Sequence, residues 1–269
     1  MTTNEDVYDK LRILLSPNGF IYLPQHEETT KLLTNLYTEE EANLLVTCFP
    51  KFREVVSLDK MGELTGLPKA QLSEMLSDMA YKGKITPEGK DEYFLLAYLP
   101  GVFEEYFTAN RDDPEIMKKV AEPHHALHKM GFSPETEWPL KSTPDFNPKS
   151  GWRFVPAVEP VTRTLAINES VDAANKVLPF EAIEQYWGEF DVFSVTMCSC
   201  RNVADLAGDP CKRTSENFCA QAGPVAEHMI ASGVGKKLNF DEMMALMKKA
   251  AEAGLVHSTM NMQNAAGFI

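Results

Sequence analysis

The chain has 269 residues, a hydrophobic fraction of 44%, a charged fraction of 24% and a formal net charge of -13. That length can bury a sizeable core and favours two domains, and the composition is that of a globular protein, not a disordered or fibrous one. The acidic balance argues against a broad nucleic-acid footprint, which is built from excess Lys and Arg. No apolar run approaches the roughly 20 residues that span a bilayer.

The start, MTTNEDVYDK, is polar and acidic where a secretory leader is basic and then apolar, so a cytoplasmic location is expected. The expected fold class is α+β and mainly helical. It divides into an N-terminal winged-helix-like domain over 1–107, a Pro-rich connector over 108–160 and a C-terminal helical cysteine-loop domain over 161–269.

In the first part, YTEEEANLLVTCF places Leu44, Leu45 and Cys48 at helical spacing behind acidic residues that suit a helix start. Cys48 is read as a small buried hydrophobe. In SLDKMGELTGLPKAQLSEMLSDMAYKGKITPEGKDEYFLL, Ser57 can cap a short helix and Gly66 can turn the chain. Pro68 can open a second helix with the apolar stripe Leu72, Met75, Leu76 and Met79. Lys84–Thr86 and Tyr93–Leu96 read as two short strands, completing a winged-helix pattern.

Such a helix can enter a DNA groove. Here Lys69, Lys82, Lys84 and Lys90 are opposed by Glu74, Asp78, Glu88, Asp91 and Glu92, and no Arg is available for guanine edges. A packing or protein-contact module with no specific nucleic-acid partner is therefore expected.

The connector contains EPHHALHKMGF, in which His124 and His128 are four apart and could share a helix face. That supplies two ligands where a metal site needs three or four, and no H-E-x-x-H carboxylate adjoins them. Beyond it, repeated Pro with Trp138, Phe146, Trp152 and Phe154 reads as extended chain lying on a surface.

In the third part, NKVLPFEAIEQYWGEF reads as a helix opened by Pro179, and DVFSVTM as a strand leading into Cys198. GPVAEHMIASGVG reads as a helix begun at Pro224. NFDEMMALMKKAAEAGLVH reads as another, with Asn239 and Glu242 in capping-box spacing and a stripe of Met243, Met244, Leu246 and Met247 that packs a core. No Ser-His-Asp set, P-loop or G-x-G-x-x-G is apparent, so independent catalysis has little support.

Four of the five cysteines, Cys198, Cys200, Cys211 and Cys219, stand as C-x-C, ten residues, C, seven residues, C. Cytosolic thiols stay reduced, which favours metal ligation over disulfides. Convergence of Cys198 and Cys200 requires the chain to turn there, and Asn202, Gly208, Asp209 and Pro210 read as a loop able to wrap a centre. Arg201, Lys212 and Arg213 adjoin the cysteines and would offset thiolate charge. Zinc and iron-sulfur clusters both accept four thiolates, so the spacing marks a metal site without choosing the metal.

MCSCRNVADLAGDPCKRTSENFC, with AGLVHSTMNMQNAAGFI after it and LPGVFEEYF and KVLPFEAIEQYW before it, resembles the N-terminal region of anaerobe 4Fe-4S ferredoxin-type proteins. In these a winged-helix-like segment precedes a C-x-C-R cysteine domain. The resemblance is strongest from Phe154 to Ile269. It implies one 4Fe-4S cluster held by Cys198, Cys200, Cys211 and Cys219, and a role as an electron carrier or redox-enzyme subunit. The chains it resembles continue past a stretch like AGFI into a cysteine-rich ferredoxin segment, so the end at Ile269 fits a shortened chain. Two alternatives stand beside this: a winged-helix transcription regulator sensing redox or metal, and an assembly protein with structural zinc.

Overall fold

The computed structural model describes residues 4–17, 22–131, 152–155, 187–188, 190–212 and 217–260. Among them the protein is mainly helical with small antiparallel sheets, an α+β architecture. No helix among the described residues is long and apolar enough to cross a membrane. The chain forms two compact units, Met1–Phe146 with Ser199–Pro210, and Asn147–Cys198 with Cys211–Ile269.

The first unit opens with α1 (Asn4–Leu14), α2 (Glu27–Leu36) and α3 (Glu39–Cys48). The start of α3 is fixed by a capping box: the Thr38 hydroxyl accepts from Glu41 N–H, and Glu41 Oε2 accepts from Thr38 N–H at 2.8 Å. Leu44, Leu45 and Cys48 then face the core. Burial pushes the Cys48 thiol up to about 11, so it packs as a neutral small hydrophobe.

The next stretch runs β1 (Val56–Ser57), α4 (Leu58–Thr65), α5 (Lys69–Tyr81), β2 (Thr86–Pro87) and β3 (Glu92–Phe94), with sheet order β1-β3-β2. The Ser57 hydroxyl caps α4, and Gly66 ends it at φ 73°, a backbone region that favours glycine. Leu72, Leu76 and Met79 form the buried stripe of α5. The turn into the hairpin requires Gly83, whose φ is 77° and where a Cβ would sit 2.6 Å from the Glu105 backbone.

Two differences from the sequence reading belong to this unit. After α6 (Phe103–Ala109), residues placed in the connector form α7 (Pro114–Lys129), which packs on α2 with Met117, Val120, Ala121 and Leu127 buried. Pro123 inside α7 hides the helix from a pattern reading. Residues expected to start a loop after Cys200 form α8 (Ser199–Leu206), which packs on α6 and α7 through buried Val203 and half-buried Leu206.

The second unit is built on β5 (Phe193–Thr196), paired with β6 (Cys219–Ala222) on one side and β7 (Lys236–Leu238) on the other. The exposed Lys236 and Lys237 discourage further pairing at the β7 edge. Between β6 and β7 lies α9 (Gly223–Ala231), and after β7 comes α10 (Phe240–Glu252), opened by the Asn239–Glu242 capping box. Phe193, Ala220, Ala222 and Leu238 cluster with Trp187, Met243 and Met247. Separately, β4 (Trp152–Val155) pairs antiparallel with β8 (His257–Met260). The rest of the Pro-rich run with Trp138 and Phe146, the helix expected from Pro179, Arg213 and the terminus 261–269 lie outside the described residues.

Candidate metal centre

Cys200 is the second residue of α8 and is exposed. Two anchors hold its helix. The Asn202 side-chain amide donates to Phe107 O at 2.8 Å and to Asn110 Oδ1 at 3.2 Å, which satisfies backbone at the end of α6. At the other end Gly208 (φ 75°) turns the chain to Asp209, whose carboxylate meets Lys129 Nζ and His125 Nε2, each at 3.1 Å. The Lys129 ammonium and then His125 hold the Asp209 carboxyl below its ordinary value.

The remaining three thiols belong to the second unit. Cys198 follows β5 and is half-buried, Cys219 opens β6 and is half-buried, and Cys211 is exposed. Cys219 is the cross-strand partner of Thr196. Cys198 is thus separated from that pair by at most about 7 Å of chain, two residues at full extension. No disulfide joins any of the five cysteines.

Strand alternation gives β5–β6 two unlike faces. Phe193 and Ala222 pair on the apolar side, whereas Ser194–Gln221 and Thr196–Cys219 are adjacent pairs on the other. The Ser194 hydroxyl donates to Gln221 Oε1 at 2.8 Å. Gln221 Nε2 donates to Thr196 Oγ1 at 2.9 Å, Cys219 O at 3.1 Å and Cys219 Sγ at 3.5 Å. Ser194, Thr196 and Gln221 are all buried.

Among the described residues, no group of three or more His, Cys, Asp or Glu side chains is arranged to hold a metal ion. Cys198 and Cys219 share an end of β5–β6, while Cys200 and Cys211 stand on other segments. In kind the donor set does fit a thiolate-bound centre. None of the four is sealed in apolar core as Cys48 is, and an amide N–H already meets one sulfur.

The histidines of α7 do not supply a second centre. Tyr98 O–H and His124 Nδ1 are 2.7 Å apart, and the His124 ring stacks on Phe103 with centroids 4.1 Å apart. Burial pushes His124 down to about 3, with His128 and His125 adding to the effect, so the ring is neutral and shares one hydrogen bond with Tyr98 through Nδ1. His124 is thus committed to the core while His128 is exposed.

The sequence reading did not single out Ser194, Thr196 and Gln221. A signal was present, since Gln221 stands between two alanines directly after Cys219 and the short CAQA run alternates. Comparison with protein-family models, curated proteins and solved structures finds no match to this chain.

Proposed function

We propose that this protein is a cytoplasmic iron-sulfur electron-transfer protein, acting as a carrier or as a subunit of a redox enzyme. Cys198, Cys200, Cys211 and Cys219 would ligate one 4Fe-4S cluster. The observation that carries this reading is the placement of the four cysteines: outside any disulfide, exposed or half-buried, within residues 198–219, and with the Gln221 N–H at Cys219 Sγ. A bound cluster would supply a reversible one-electron site whose potential depends on charge and on hydrogen bonds to sulfur. The chain's own residues deliver the thiolates and their nearest dipoles. The resemblance of 154–269 to ferredoxin-type proteins favours iron-sulfur over zinc.

In the same reading, β1, α4, α5 and the β2–β3 hairpin are a winged-helix-like module used for packing or protein contact. Three of its cations, Lys69, Lys82 and Lys84, are already engaged, which weighs against the regulator alternative. Lys69 pairs with Asp59 at 2.8 Å and Asp91 at 3.6 Å, and Lys82 with Asp78 at 2.8 Å and Asp112 at 3.4 Å. Lys84 is buried against Glu41 at 3.2 Å.

Anaerobic preparation followed by a dithionite titration tests the reading. The protein should be brown, with broad thiolate-to-iron charge-transfer absorption that bleaches on reduction. Cys200→Ser should lose most of that absorption, whereas Cys48→Ala should keep it, because Cys48 lies in the core. Equal loss in both variants would overturn the ligand assignment, and a colourless protein with one zinc would overturn electron transfer.

A further inference from the structure

We propose that α8 is a detachable strap: Ser199–Leu206 lifts off α6 and α7 as one piece while the rest of the first unit stays folded. The inference concerns residues of that unit alone and does not rest on the metal reading. Helices shorter than about 12–15 residues are marginal in water, so the eight residues of α8 form a helix only where something grips them. Of the eight, Ser199 and Val203 are buried, half-buried Leu206 packs beside them, and Cys200 and Asp205 are exposed. The chain enters this segment from Cys198 and leaves it for Cys211, both of the second unit. No other helix of the first unit therefore continues into α8 or holds it through the backbone.

The grip is largely polar. The Asn202 amide donates to Phe107 O at 2.8 Å and to Asn110 Oδ1 at 3.2 Å. Phe107 O is one of the last carbonyls of α6, and Asn110 closes that helix in the left-handed region at φ 51°, so Asn202 also caps α6. At the far end, Asp209 meets Lys129 and His125, but the Asp209 and Lys129 side chains are 57% and 61% exposed, and solvent weakens such a clasp. α6 and α7 do not depend on α8 in return, because Phe103, Tyr106, Met117, Val120 and Leu127 are buried in the main core and α7 packs on α2. Release of α8 uncovers Val203, Leu206 and the Asn202 bonds, a small part of what complete unfolding exposes. Few buried apolar contacts are what a local opening requires. The opening carries Cys200 with it and loosens the last turn of α6.

Native-state hydrogen exchange of the full chain in rising urea, read by peptide mass analysis, tests the strap. Amides of α8 should exchange through an opening that responds weakly to urea, whereas those of α2 and α3 should follow the steep dependence of global unfolding. Asn202→Ala should speed α8 exchange about tenfold, the size of one or two net hydrogen bonds. Leu45→Ala weakens the core at α3, which packs on α1 and α4, and those contacts persist when α8 is open. It should speed exchange in α2 and α3 by more than about tenfold and leave α8 unchanged. If that variant does not fold, Cys48→Ala makes the same comparison with a smaller effect, since Cys48 is buried on the same helix. Exchange of α8 at the urea slope of α2 and α3, or an α8 that speeds up with them in the α3 variants, would overturn the proposal. So would an Asn202→Ala protein whose α8 exchanges at the native rate.

Discussion

His124 and Glu104 pull the pH dependence of folding in opposite directions. Burial holds His124 at about 3 against an ordinary 6.5, so between those values the unfolded chain takes up a proton that the folded chain refuses. Stability therefore falls as pH drops through that window, by at most about 1.4 kcal/mol per pH unit for one proton. Loss of solvent pushes Glu104 up to about 8 from 4.5, outweighing the hydrogen bond it accepts from Gly101 N–H. The folded chain then keeps a proton that the unfolded chain has released, so this contribution is lost as pH rises from 4.5 to 8. Where the windows overlap, the two offset. His124→Gln retains a hydrogen-bonding partner for Tyr98 and removes the acid-side term. Urea unfolding should show the variant gaining on the native protein steadily as pH falls below 6.5. A difference that stays constant with pH would contradict the assignment of His124 as buried and neutral.

At the scale of elements, the turn between α5 and β2 shows why cation counts alone mislead. Lys84 has the sequence of a surface strand cation, yet it is buried, with Tyr37 O–H donating to its carbonyl at 3.0 Å and Glu41 pairing its ammonium. Removing one partner of such a pair costs about 3–5 kcal/mol because it strands a buried charge. Loss of DNA affinity in Lys84→Ala would therefore report unfolding, and Lys69 is the better probe. The account predicts no sequence-specific DNA complex at submicromolar protein and about 150 mM salt, measured by fluorescence anisotropy. A single operator bound with an affinity that Lys69→Ala destroys would contradict it.

The elements also mark how far the sequence could be read. α4, α5 and α10 carry capping residues, glycine stops and apolar stripes that state helix in the order of residues themselves. α8 does not: SCRNVADL has only Val203 and Leu206 as a short apolar stripe, and its stability comes from packing on α6 and α7, which a local pattern cannot contain. β6 was hidden for a related reason. Its sequence, CAQA, lacks β-branched residues and is a strand because β5 offers it a hydrogen-bonded edge. The four cysteines stand out in the sequence as candidate ligands, since their clustering in one stretch needs no tertiary information. Their hydrogen-bonded surroundings were not, because Gln221 meets Ser194 only through the β5–β6 register.

For the molecule as a whole, a net charge of -13 fits the proposed carrier, which meets another protein, better than a protein that tracks a phosphate backbone. The most direct test of that account is the content of iron, acid-labile sulfide and zinc per chain in protein prepared without oxygen. The account predicts about four iron and four sulfide per chain with no stoichiometric zinc, as a cubane cluster on four thiolates requires. About one zinc per chain with no sulfide, the signature of a structural four-thiolate site, would contradict it.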